Sequence, residues 1–249
     1  MNTITVVSYN IHKGMSPLNR ILNLDGMAQA LARLSPDILC LQEVQGRNLK
    51  RLASLKGYPS YSQHEWFGEY LSLSASYGKN CSYEHGHHGN ATLSPHLLDP
   101  KHNVNITVNR LEKRGVLHCE IHPAGWDRPI VVLNAHLNLL HADRVRQYHA
   151  IIDYIRHKLD PKAPLILAGD FNDWSKKSAS ILEPLGLIEV FGQIYGDSLP
   201  TFPAVRPFLA LDRIYVKNLS IHQATVHTGT PWASLSDHLP ISAKLGLVA

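Results

Sequence analysis

The chain has 249 residues, 44% hydrophobic and 18% charged, with a formal net charge of +4 and a sequence pI of about 8.9. That size, with no composition break or Ser/Gly-rich linker, fits one globular domain over residues 1–249, and the mild basic bias is compatible with polyanionic substrates. Its three cysteines (Cys40, Cys81 and Cys119) are odd in number and lack a CxxC spacing, which argues against a disulfide framework or a cysteine zinc site.

The opening Met1-Asn2-Thr3-Ile4 leads into a strand-like run without a charged leader and long apolar stretch, so no signal peptide is expected. No run of ~18 apolar residues occurs, so no membrane insertion is expected and a cytoplasmic location is the default. Strands are predicted at Ile4–Tyr9, Ile38–Leu41, Ala91–Ser94 and Val104–Asn109. Val116–Ile121, Ile130–Ala135, Leu165–Ala168, Asp212–Val216 and Ile241–Leu245 continue the series. Leu165–Ala168 is solidly apolar, as in a strand covered on both faces, whereas Val104, Ile106 and Val108 alternate with polar residues. Helical spacing marks Asp25–Leu34, stopped by Pro36, and Ala142–Leu159, with Val145, Ile152, Ile155 and Leu159 on one stripe. Between Lys56 and His88 the chain is rich in Gly, Ser, Tyr and His with weak periodicity, and surface loops are expected. The basic groups Arg47, Lys50, Arg51 and Arg110, Lys113, Arg114 read as solvated faces.

Polar residues recur where apolar runs end, which is where buried strands surface and chemistry is placed. Asn10 and Glu43, each at a strand end, offer amide and carboxylate oxygens of the kind that suit Mg²⁺ or Mn²⁺ rather than zinc. Either alone reads as plainly as a turn cap or the start of a loop. Gly169-Asp170-Phe171-Asn172 ends an apolar strand at a glycine that lets the chain turn. Asp170 and Asn172 then share one face if the extended geometry persists, and form an Asx-turn if it does not. In Ser236-Asp237-His238, the histidine acquires meaning with Asp212, a carboxylate able to hold the imidazole in one orientation. His136 closes its own strand in the same way.

The ordered set Asn10, Gln42-Glu43, Asn134-Ala135-His136, Gly169-Asp170-Phe171-Asn172, Asp212 and Ser236-Asp237-His238 resembles the endonuclease/exonuclease/phosphatase family over almost the full chain. That family includes abasic-site endonucleases, pancreatic deoxyribonuclease and neutral sphingomyelinases. The strings Asn10-Ile11-His12-Lys13-Gly14 and Gly86-His87-His88-Gly89-Asn90-Ala91 look like a bacterial branch of it. The resemblance implies an α/β fold, a four-layer α/β/β/α sandwich with two mixed β-sheets packed face to face and helices outside, and a site at one edge. It implies Glu43 as main ligand of Mg²⁺ or Mn²⁺, with Asn10 nearby and Asp237 as a further ligand. It also implies Asp170 orienting or deprotonating the attacking water and Asn172 bonding a phosphate oxygen. His238, oriented by Asp212, contacts the phosphoryl group or serves as base, and His136 faces the phosphate or protonates the leaving oxygen.

His12 departs from the family pattern, standing where several family nucleases carry an acid; an imidazole is a poorer Mg²⁺ ligand than a carboxylate. His12 and Lys13 are instead read as meeting substrate phosphate or as surface residues. In Glu84–Asn90, His88 and Asn90 are read as lining the phosphate pocket rather than a transition-metal site. Arg114 offers another phosphate contact, with a solvated loop residue as its plainer reading. Trp66, Phe67, Tyr70 and Trp232 read as rim or as core. The expectation is a monomeric, metal-dependent phosphodiester hydrolase acting on nucleic acid. A phospholipid or small-molecule phosphodiesterase is the enzymatic alternative, and a non-catalytic binding module the other.

Overall fold

Alternation along the strands builds three apolar layers. In β1 (Thr3–Asn10) and β2 (Ile38–Asn48), Ile4, Val6, Ile38 and Cys40 point one way and Val7, Tyr9, Leu39 and Leu41 the other. The first group packs against Val132, Ile166, Ala168, Ile214 and Val216, which belong to a second sheet. The second group packs against Leu24, Met27, Leu31 and Phe67 on helices α1 (Leu24–Leu34) and α3 (Gln63–Leu71), between which lies the short α2 (Leu49–Ser54). On the far side, Leu133, Leu165, Leu167 and Tyr215 pack against Tyr148, Ile151, Ile152 and Ile155 of α4 (His141–Lys158). The result is a helix–sheet–sheet–helix sandwich, as expected. This computed structural model describes residues 3–248; Met1 and Asn2, part of the opening run, and Ala249 lie outside the described residues.

The remaining strands are β3 (Ser74–Tyr83), β4 (Gly86–Ser94), β5 (Leu97–Asn105), β6 (Gly115–His122), β7 (Ile130–His136) and β8 (Leu165–Asp170). They are followed by β9 (Ile188–Glu189), β10 (Asp212–Lys217), β11 (Leu219–Val226) and β12 (Ile241–Leu247). One sheet runs β11-β12-β1-β2-β4-β3 and the other β5-β6-β7-β8-β10-β9. Each has one parallel pair, β1–β2 and β7–β8. Register then does the positioning: Asn10 stands beside Gln42, His136 beside Asp170, and Asp170 beside Asp212. Four strand ends and the middle of β2 are thereby brought to one edge.

Three expectations need correction. Lys56–His88 is not a set of loops but holds α3, all of β3 and the start of β4. There the Glu65 carboxylate accepts from the Ser62 N–H at 3.0 Å to start α3, and pairing with β4 carries a polar, tyrosine-rich strand that periodicity alone does not mark. The strand expected at Val104–Asn109 is β5, which begins at Leu97 and stops at Asn105, where the Asn105 side chain accepts from the Thr107 N–H at 2.9 Å and turns the chain. β5 is a sheet edge, which accommodates Pro100 at a register shift. The buried stripe of α4 also includes Arg144 and Gln147, while Val145 is half-buried. Gln147 accepts from the Asn138 N–H at 2.8 Å and Arg144 donates to the Asn138 carbonyl at 3.2 Å, so these polar groups satisfy the loop that leaves β7.

Candidate active site

Backbone strain gathers where the strands surface. His12 (φ 45°), Lys13 (φ 58°), Glu43 (φ 55°) and Asn172 (φ 48°) all adopt the left-handed region without being glycine. Glu43 stands in an irregularity of the β2–β4 pairing between Leu41 and Val44. Gly169 has φ 145°, and a Cβ there would come within 1.9 Å of the Ala135 carbonyl oxygen. Its role differs from the expected turn: β8 continues through Asp170, and glycine is required because β7 lies against it. The chain leaves the extended path after Asp170, whose Oδ1 accepts from the Asn172 N–H at 3.0 Å; the Asx-turn alternative is the one that forms.

A cleft of about 310 Å³ opens at this edge. Glu43, His136, Asp170, Asn172, Asp237 and His238 line it, with Arg114 beside them. Phe202, Leu209, Leu211, Leu139 and Trp174 give it an apolar wall. At its floor a polar chain runs between strand ends. Thr201 donates to Asp212 Oδ2 at 2.5 Å, and that same oxygen is 2.9 Å from His238 Nδ1. His238 Nε2 is 3.7 Å from Asp170 Oδ2, and His136 Nε2 approaches the same oxygen at 3.5 Å. Asn10 donates its amide to that oxygen at 2.9 Å. Asn10 is thus beneath the cleft, holding Asp170, and its own Oδ1 accepts from the His12 N–H at 3.0 Å.

These groups titrate far from their usual ranges. For His238, burial lowers the pKa, but the Asp212 and Asp170 carboxylates outweigh it and push the imidazole up to about 10. Burial raises Asp170, opposed by the His238 charge and reinforced by Asp212. His136 falls well below its ordinary value through burial and the nearby Arg114 charge. For Glu43, burial alone would raise the carboxyl, yet His136, Lys13 and His238 together hold it well below the carboxylate range.

The other side of the cleft is more open. Lys13 Nζ lies 2.9 Å from Glu43 Oε2, and His12 Nδ1 lies 3.5 Å from Asp237 Oδ1. Glu43 and Asp237 present hard carboxylate oxygens to the same space, and Glu43 is held ionised; this donor set fits a divalent ion such as Mg²⁺. Asp170, Asp212 and His238 also bring one ligand atom each within 4.8 Å of one another. Their atoms are already engaged in the Asp212–His238 hydrogen bond, which favours proton handling there over metal ligation.

The remaining expected residues lie around the cleft without lining it. Asn90 is buried between the sheets, donating to the Gly115 and Asn134 carbonyls at 3.1 and 3.0 Å. Asn134 and Gln42 form a similar clasp, Gln42 donating to Asn134 Oδ1 at 2.8 Å. His88 is half-buried on β4, its pKa lowered by burial and partly restored by Glu43. His12 is buried behind Asp237 and bonds Asn19 at 3.1 Å. Trp66, Phe67, Tyr70 and Trp232 belong to the α1–α3 side, and the aromatic wall is Trp174 and Phe202 instead. Thr201 and Phe202 carry no motif; only a polar–aromatic pair in a Pro-flanked loop, Pro200-Thr201-Phe202-Pro203, marks them.

The family model described as Endonuclease/Exonuclease/phosphatase family matches residues 7–238. The uncharacterized protein YbhP of Escherichia coli (strain K12) is 38% identical over 243 residues, covering 97% of this chain and 96% of that protein. Among solved structures, an endonuclease/exonuclease/phosphatase from Beutenbergia cavernae superposes with TM-score 0.78 at 19% identity, covering 99% of this chain and 72% of that one. One from Bacteroides vulgatus has TM-score 0.77 at 16% identity, with 100% of both chains covered. D. rerio TDP2 complexed with a single-strand DNA product has TM-score 0.68 at 14% identity, covering 99% of this chain and 100% of that one. The chain therefore belongs to the endonuclease/exonuclease/phosphatase family, generally hydrolytic phosphoesterases that include metal-dependent nucleases and phosphodiesterases.

Proposed function

We propose that this protein is a Mg²⁺- or Mn²⁺-dependent phosphodiester hydrolase acting on nucleic acid. The observation that carries the reading is the buried chain Thr201–Asp212–His238–Asp170, which ends in a cleft whose other side offers Glu43 and Asp237. A metal held by Glu43 and Asp237 would supply Lewis-acid stabilisation of the charge developing on the phosphoryl oxygens. Asp212 holds His238 through Nδ1 and keeps it cationic, so that Nε2–H is a fixed donor to a phosphoryl oxygen. Asp170, raised by burial, is a stronger base than an ordinary carboxylate and takes the proton of the attacking water through Oδ2. Asn10 fixes that oxygen from below. His136, neutral at pH 7, stands beside Asp170 on the neighbouring strand, placed to meet the leaving oxygen. Asn172 donates to the Leu137 carbonyl at 2.9 Å and has a second N–H for substrate.

Nucleic acid is supported by the cations Lys13 and Arg114 at the cleft, by the positive net charge, and by the substrate class of the DNA-bound TDP2 relative. A second reading, an amphiphilic diester such as a phospholipid, is favoured by Leu139 and Trp174, which line the cleft yet are 61% and 58% exposed. The deciding experiment is turnover of a single-stranded oligonucleotide and of phospholipid vesicles, with EDTA and metal add-back, for the wild type, Asp170→Asn and His238→Gln. Metal-restored cleavage of the oligonucleotide, lost in both variants, is the expected result. Vesicle hydrolysis alone transfers the assignment to lipid, and no hydrolysis of any diester by the wild type overturns the catalytic reading.

A further inference from the structure

Beside the cleft lies a second depression of about 380 Å³, formed where the edge strands β3 and β5 of the two sheets meet. Lys79 and Asn80 come from β3, Asn103 and Asn105 from β5, and Lys113 and Arg114 from the loop ahead of β6. Among the described residues no carboxylate lines it. Neither lysine is in an ion pair among the described residues, and Arg114 alone is paired, through Nη2 to Glu112 at 2.9 Å. Arg114 also lines the cleft, so the two hollows share one basic residue.

The surface is built rather than incidental. Asn103 donates to the Lys79 carbonyl at 3.0 Å and to Asn80 Oδ1 at 3.1 Å, locking the two edges together. A Cβ on Gly78 would stand 2.4 Å from Asn103 Oδ1, and one on Gly115 would stand 2.2 Å from Asn80 Oδ1. Glycine at both positions is what lets the amides sit there. Two unpaired lysines beside amide groups, with an arginine whose acid partner Glu112 does not line the depression, suit an anion.

Resting on the nuclease reading above, we infer that this depression is a subsite for a neighbouring phosphate of the nucleic-acid strand whose scissile phosphate occupies the cleft. Arg114 spans the two positions, and Lys79 and Lys113 hold the flanking phosphate. The bound ligand is then a chain bearing at least two phosphates, and a diester with only one engages half of the surface.

The test measures binding of fluorescein-labelled oligothymidylate to the full chain in EDTA across a salt series, by anisotropy. The proteins are wild type, Lys79→Ala/Lys113→Ala, and the charge-matched control Lys158→Ala/Lys162→Ala, each checked by melting temperature. Lys79→Gln and Lys113→Gln provide milder singles. The expected result is a salt slope smaller by about 1.4 in the first double variant, two contacts at about 0.7 each, with affinity about tenfold lower at low salt. Each single variant should lose about half of that slope change, and the control none. An oligothymidylate with neutral methylphosphonate linkages should not distinguish the wild type from the double variant. Equal losses in both double variants, no loss in either, or discrimination that survives on the neutral strand would overturn the subsite. Metal-dependent hydrolysis of the oligonucleotide and of bis(p-nitrophenyl) phosphate, which has one phosphate, reads the catalytic assignment separately: absence of both sinks that reading, whereas the salt-slope result alone decides the subsite.

Discussion

The two sides of the cleft are built on opposite principles. On one, the side chains of Asp212, Asp170, His136 and His238 are 0%, 2%, 7% and 7% exposed, each within reach of another. On the other, Glu43, Asp237 and Lys13 are 22%, 25% and 33% exposed, so their contacts, though of similar length, are open to solvent. In the dry half, desolvation makes every charge costly, so each group is defined by its partner and its protonation state is fixed before substrate arrives. In the wet half, Glu43 stays ionised through nearby cations and remains open to exchange a side-chain ammonium for another positive charge. Proton handling demands the first arrangement, and reversible capture of an ion the second.

The largest expected break comes from the dry half. Replacing His238 by Gln retains a donor for Asp212 but removes the cationic ring, and should lower kcat by about 10²–10³-fold, the cost of losing one fixed donor to the phosphoryl oxygens. His238→Ala should cost stability as well, on the order of 3–5 kcal/mol, because Asp212 is left buried with Thr201 as its remaining side-chain partner. Single-turnover kinetics beside thermal melts checks both; a Gln variant as active as wild type would remove His238 from the chemistry.

The wet half is broken at Glu43. Mg²⁺ should raise the melting temperature of the wild type, by the equivalent of about 2.7 kcal/mol at a hundredfold excess over Kd. Glu43→Gln should abolish most of that shift while melting in EDTA near the wild-type temperature. Calorimetry in the two conditions measures it, and an undiminished shift would place the ion elsewhere.

How far the sequence revealed these halves depends on how each residue reaches the site. Asp170, Asp212 and His136 sit on strand ends whose apolar runs are plain, and strand register alone brings them together. Glu43 and Asn172 depend on left-handed backbone at a bulge and an Asx-turn, which composition hints at but cannot place. Asn90 looked like a phosphate ligand because it ends a polar string, yet the close approach of β4 to β6 and β7 turns its amide to backbone carbonyls. Thr201 carries no signal of its own because it sits in a loop without periodicity, 11 residues before its partner Asp212 at the start of β10. The β3 edge was hidden for a related reason: its polar faces are stabilised by pairing with β4 rather than by an apolar pattern.

A pH titration sharpens the contrast within the dry half. The His238 pKa is raised from 6.5 to about 10 in the folded protein, so the folded state holds a proton that the unfolded chain has released across that interval. Its contribution to stability is complete below about pH 6.5 and is lost as pH rises through about 10. Asp212→Asn removes the carboxylate responsible, so the decline in unfolding free energy between those pH values should be shallower in the variant. Urea melts in EDTA at pH 6.5, 8 and 9.5 would show it; identical slopes would mean that Asp212 does not hold the charge on His238.

The smallest effect is expected at Lys13, and it concerns what the wet half holds before an ion arrives. Lys13 Nζ sits 2.9 Å from Glu43 in a partly exposed pair, the kind worth up to about 1 kcal/mol. If an incoming divalent ion must displace that ammonium, Lys13→Met should tighten Mg²⁺ binding by up to about fivefold, the same energy read as an equilibrium constant. The neutral side chain also removes one positive charge that repels the ion, which acts in the same direction. Loss of a phosphate contact by Lys13 would instead raise KM for the oligonucleotide and leave Mg²⁺ affinity unchanged. Titrating metal by calorimetry without substrate, then measuring KM at saturating metal, separates a competitor for the carboxylate from a ligand for the substrate.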